Sequence, residues 1–139
     1  MVRLTGDLFG YVGREGLGEV IVGPLDVVFS EFAVVVPDAV YISKQRASVL
    51  TEINIQGAPD LIIEAISGAT AIRDRTTKLK LYGRFGVQEY WIIDPTGPAA
   101  EIYLRGEEGL SLAAKLSAVN ALASPMFPGF SVPLPKLTR

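Results

Sequence analysis

Apolar positions in this chain fall into short runs broken by glycine and proline, with two longer stretches at helical spacing. Over residues 3–14, Leu4, Leu8, Phe9 and Tyr11 or Val12 mark one side of a short helix, weakened by Gly6, Gly10 and Gly13. Glu19–Val22 and Leu25–Phe29 read as strands on either side of Gly23-Pro24. Phe32–Val36 is apolar and β-branched, and Ala39–Ile42 continues as a short strand. Ser43–Gln56 is more polar and reads as a loop with a helical turn at Lys44–Leu50. Asp60–Ser67 has the nearly continuous apolar character of a central strand buried on both faces.

The second helical stretch is Ala71–Phe85, with Thr70 placed as N-cap and Gly86 as its C-terminal glycine. Glu89–Ile93 is a strand closed by Asp94-Pro95-Thr96-Gly97. Glu101–Leu104 and Leu110–Leu116 read as two edge strands around Gly106–Gly109, and one more strand is expected near Phe130–Leu134. Strands, a strand–helix–strand unit and further strands predict an α/β (α+β) fold with a mixed sheet and helices against it. The 139 residues suit a single domain, and 49% apolar residues can fill one core.

Composition removes many chemistries. The chain has no cysteine and no histidine, so disulfides, thiolate metal sites, cysteine nucleophiles, Ser–His–Asp triads and histidine zinc sites are excluded. Carboxylates, lysines, tyrosines, hydroxyls and a hard cation remain. A net charge of −2 gives no general attraction to nucleic acid, so such binding needs a local basic patch. Arg73, Arg75, Lys80 and Arg84 offer one, although a solvated helix face explains them more simply. The sequence contains neither a long apolar span nor a leader-like start, and a cytoplasmic location is expected.

Three residues break the local pattern. Glu64 lies inside Leu61-Ile62-Ile63-Glu64-Ala65-Ile66, where an unpaired carboxylate is costly; strand alternation puts it on one face with Asp60 and Ile62. Asp38 follows Val34-Val35-Val36-Pro37 at a strand end, either as an ordinary turn or as a partner for a neighbouring carboxylate. On a helical wheel Lys78 joins Ala71, Arg75, Leu81, Tyr82 and Phe85 on the stripe facing the sheet, while Lys80 faces water. Asp74, four residues earlier, can support Lys78. Two carboxylates can hold Mg²⁺ or Mn²⁺ while a lysine orients water or offsets phosphate charge; a plain Glu64–Lys78 ion pair is the simpler alternative.

The stretches Ala58–Ser67, Arg73–Tyr82 and Phe85–Pro95 (ending Tyr-Trp-Ile-Ile-Asp-Pro), with Val36–Ile42 upstream and Ser124–Phe130 downstream, resemble the Uma2 family of restriction-endonuclease-like proteins. The likeness runs from about Gly18 to the end and implies a PD-(D/E)XK nuclease-like domain over 1–139, with 1–17 as a shortened N-terminal region. It also implies DNA as partner, a divalent metal on Asp38 and Glu64, and catalysis by Asp38, Glu64 and Lys78. Position 66 is Ile66, not lysine, so the lysine of the pattern falls on the following helix at Lys78. Two departures stand out: Ser67-Gly68-Ala69-Thr70 replaces a Ser-Pro-Ser-Thr turn, and only Glu15 or Glu19 stands near where the family carries a further acid. The rival function is a nuclease-like domain that no longer cuts and serves in binding or assembly, as a homodimer for instance.

Overall fold

The computed structural model describes residues 2–66, 71–94 and 99–138, with only the backbone of 71–74, 137 and 138. The chain begins with α1 (Val2–Glu15), then β1 (Gly18–Val22), β2 (Val27–Ser30), β3 (Ala33–Val35) and β4 (Ala39–Ser43). A 3₁₀ turn (Lys44–Val49), β5 (Ile55–Gln56) and β6 (Leu61–Ala65) precede α2 (Ala71–Phe85). β7 (Glu89–Asp94), β8 (Ala99–Gly106), β9 (Gly109–Leu116), β10 (Ala121–Leu122), β11 (Val132–Pro133) and a 3₁₀ helix (Leu134–Thr138) complete it. The principal sheet has the order β1-β4-β6-β7-β8-β9, antiparallel except for the β6–β7 pair that α2 connects. The mixed sheet with flanking helices agrees with the sequence expectation.

Side-chain alternation divides the core into two layers. Leu61, Ile63, Trp91 and Ile93 point to the layer closed by Leu4, Leu8 and Tyr11 of α1 and by Phe127 of the C-terminal segment. Val40, Ile62, Tyr90 and Tyr103 point to the other, where Tyr82 of α2 and the small sheet β3-β2-β5 cover them. The glycine-broken helix is thus a full helix held by packing. Gly6 and Gly13 lie on its exposed side, while Leu4, Leu8, Tyr11 and Val12 are buried. Phe9 is exposed, contrary to its expected place on the apolar side.

α2 ends where its glycine predicts. Gly86 has φ +95, and Val87 N donates to Tyr82 O at 3.1 Å, closing a Schellman turn. Arg105 on β8 donates from Nε to Val87 O and from a terminal nitrogen to Gly83 O, at 2.9 and 2.7 Å. Those bonds satisfy carbonyls of the last turn and fix α2 over the sheet. β8 lies inside the sheet, so only β9 of the expected edge pair is an edge strand. The Thr70 cap, the 67–70 turn, the 95–97 turn and the side chains of Arg73 and Asp74 lie outside the described residues.

Candidate active site

Glu64 is the least ordinary residue of the core. It sits in β6 on the α2 side of the sheet and is 3% exposed. Its carboxylate accepts three hydrogen bonds. Lys78 Nζ donates to Oε1 at 2.8 Å, Tyr82 OH donates to the same oxygen at 3.1 Å, and Tyr90 OH donates to Oε2. Lys78 comes from the sheet-facing side of α2 and is about one-third exposed, whereas Lys80 faces solvent. Burial pushes both tyrosine hydroxyls far above their ordinary pKa, and the negative charge of Glu64 adds to the shift. Both therefore stay protonated and serve as donors at any ordinary pH.

Asp38 approaches from the neighbouring strand. One residue before the Ala39–Ile63 pair of β4 and β6, it comes up beside Glu64. Its Oδ2 accepts a 2.8 Å bond from Ala65 N, which pins the carboxylate to the C-terminal end of β6. Asp38 is exposed and walls a cleft of about 330 Å³ with Val2 and Thr5 of α1 and with Val22, Pro24, Val36 and Pro37; Glu64 and Lys78 do not line it. Glu64 and Lys78 therefore meet under α2, and Asp38 is held at the C-terminal end of β6, one strand over from Glu64; Glu64 is buried, while Asp38 and Lys78 reach solvent.

Carboxylates at facing positions of neighbouring strands, as the register gives Asp38 and Glu64, are the ligand type that Mg²⁺ or Mn²⁺ takes, with water and phosphate oxygens filling the remaining positions. Among the described residues no three acidic, histidine or cysteine side chains gather into a complete protein cage. Glu15 and Glu19 do not add a third acid. Glu15 is exposed on α1, which covers the other face, and Glu19 pairs with Ile42 at the far end of β4 from Asp38. Asp60, expected on the same strand as Glu64, lies one residue before β6 and is spent elsewhere. It accepts from Ser43 N and Ser43 Oγ at 2.6 and 3.0 Å and lies 3.6 Å from Arg46 Nε.

Sequence reasoning missed the two tyrosines. Tyr82 stands on the sheet-facing stripe one turn after Lys78, and Tyr90 lies within the Glu89–Ile93 strand, where the sequence alone marks no role for it. The signal was present: a buried Tyr hydroxyl needs a partner, and strand alternation puts Tyr90 on the face away from Trp91. A second acid–cation pair was missed too. The register Glu64↔Ile92↔Glu101 puts Glu101 on the same cross-sheet row, where it accepts from Arg75 of α2 and from Tyr103 OH at 2.7 Å. Burial raises the Glu101 pKa, but the bonds from Arg75 and Tyr103 outweigh it and leave the carboxyl below its ordinary value. This pair ties the first half of α2 to β8.

Comparison with known proteins adds three findings. A family model, Uma2, described as "Putative restriction endonuclease", matches residues 2–135, so the likeness takes in α1 as well. Among solved structures, the chain superposes on "a putative nuclease belonging to DUF820" from Anabaena variabilis ATCC 29413. The TM-score is 0.76 at 17% identity, covering 99% of this chain and 76% of that one, a likeness of fold. No curated protein matches the sequence.

Proposed function

On the premise that the chain belongs to the Uma2 family, we propose that it is a divalent-metal-dependent endonuclease that hydrolyses phosphodiester bonds in DNA. The observation that carries this reading is the corner itself: Lys78 Nζ lies 2.8 Å from a buried carboxylate with Asp38 on the adjacent strand end. Asp38 and Glu64 would hold the cation. A bound Mg²⁺ supplies Lewis acidity toward a phosphate oxygen and lowers the pKa of coordinated water. Asp38, fixed by Ala65 N, orients toward the solvent side, where a phosphate arrives. Lys78 has one exposed flank, from which its ammonium donates to the attacking water or to a phosphate oxygen gaining charge. Ile92 and Tyr90, buried beside Glu64, limit water on the sheet side and strengthen those electrostatic contacts. Lys80 and Arg84, on the exposed side of α2, supply sequence-independent phosphate contacts.

The test is supercoiled plasmid with and without Mg²⁺. Nicking that needs the metal and disappears in Asp38→Asn and Glu64→Gln supports the reading; equal nicking by the folded variants removes it. The rival, a nuclease-like binding module that does not cut, draws on the absence of a three-acid cluster among the described residues. It predicts no heat on Mg²⁺ titration at millimolar concentration. No helix among the described residues is long and apolar enough to cross a membrane.

A further inference from the structure

We infer that Tyr82 and Tyr90 are the positioning residues that hold the Glu64 carboxylate ready for a divalent cation. The inference rests on the nuclease reading above and deepens it. An ionised carboxylate offers about four acceptor positions, two on each oxygen. Oε1 spends both of its positions, on Lys78 Nζ and Tyr82 OH. Oε2 spends one on Tyr90 OH. One acceptor position therefore remains among the described contacts, and it is on Oε2.

The two donors cannot swing away. Both tyrosines are 0% exposed, and their rings meet edge to face at 4.9 Å and 84°. They come from different elements, Tyr82 from α2 and Tyr90 from β7, so the carboxylate plane is fixed from two directions. Lys78 is about one-third exposed, so its ammonium can turn toward substrate without releasing the carboxylate. The division of labour follows: the tyrosines orient Glu64, and the lysine is free to act. Hydrogen-bond partners behind a metal ligand change affinity by about 10- to 100-fold when removed.

The experiment is Mg²⁺ titration by calorimetry of the wild-type chain and of Tyr82→Phe, Tyr90→Phe and Tyr103→Phe, each first shown to be folded. Tyr103 is the control, since its hydroxyl bonds to Glu101 on the same face of the sheet. The expected result is a Mg²⁺ affinity at least 10-fold weaker in Tyr82→Phe and Tyr90→Phe and within twofold of wild type in Tyr103→Phe. Unchanged affinity in the first two variants overturns this inference alone. Wild-type chain that binds no Mg²⁺ overturns the nuclease reading and this inference with it. A measurement without variants guards against a misfolded substitution: the hydroxyl protons of Tyr82 and Tyr90 should stay visible by NMR at saturating Mg²⁺. Their disappearance on metal binding also overturns the assignment.

Discussion

Replacing Glu64 with alanine removes the acceptor of three donors at once, and the structure sets what each loss costs. Tyr82 and Tyr90 are fully buried, so each hydroxyl is left without its partner away from water. An orphaned buried hydroxyl costs about 1–3 kcal/mol. Lys78, one-third exposed, can turn to solvent, so its lost ion pair adds little. The total is about 2–5 kcal/mol, its upper end reduced if water enters the polar void. For a domain of 139 residues, 1 kcal/mol corresponds to about 3–4 °C in Tm, so a fall of about 6–20 °C is expected. Scanning calorimetry or thermal circular dichroism reads it, with Lys80→Ala as an exposed control expected within about 2 °C of wild type. A Glu64→Ala melting point as close to wild type as the control would show that the two tyrosine hydroxyls need no carboxylate, against the bonds described.

Other outcomes follow from residues away from the corner. Glu89 is buried on the α1 face, accepting from Trp91 Nε1 at 3.0 Å and from Ser124 Oγ at 2.7 and 2.8 Å. Burial raises its pKa, and the bonds from Trp91 and Ser124 only partly offset this. Its folded pKa exceeds the unfolded value, so its contribution to stability is full below the unfolded pKa and is lost as pH rises through the folded one; Glu89→Gln should flatten that part of the stability–pH curve in urea titrations. Glu101 has the opposite sign. Its lowered pKa stabilises above the ordinary value near 4.5 and is lost on acidification through the folded pKa, so Arg75→Ala should weaken the acid dependence of Tm. Gly18→Ala places a Cβ 2.1 Å from Ile42 O and should cost more than about 2 kcal/mol in denaturant unfolding by forcing β1 off β4.

Local pattern carried much of this architecture. The unbroken apolar run around Glu64 gave β6, and the Ala71–Phe85 stripe gave α2 with its ends and with Lys78 toward the sheet. The helix expected over 3–14 is α1; its glycines weaken the local signal, and its stability comes from Leu4, Leu8, Tyr11 and Val12 packing on a sheet formed by later residues. The 3₁₀ helix over Leu134–Thr138 was hidden by Pro133 and Pro135, which signal irregular chain. The long-range polar ties were not legible. Arg46 reaches Ala58 O, Pro59 O and Gly86 O, Arg105 caps α2, and Glu89 anchors Ser124 across 35 residues. Each depends on which strands become neighbours, which periodicity does not encode. The corner was partly legible because its polar members violate an apolar pattern; Tyr82 and Tyr90 fitted that pattern and hid within it.

Whether Lys78 acts on phosphate is read most directly from Mg²⁺-dependent nicking of plasmid DNA by Lys78→Met, compared with wild type below the melting temperature of both. At least about a 100-fold loss of cleavage rate is expected, in the range for removing one group that stabilises transition-state charge, with Mg²⁺ binding retained. Cleavage by the folded variant at the wild-type rate would contradict it.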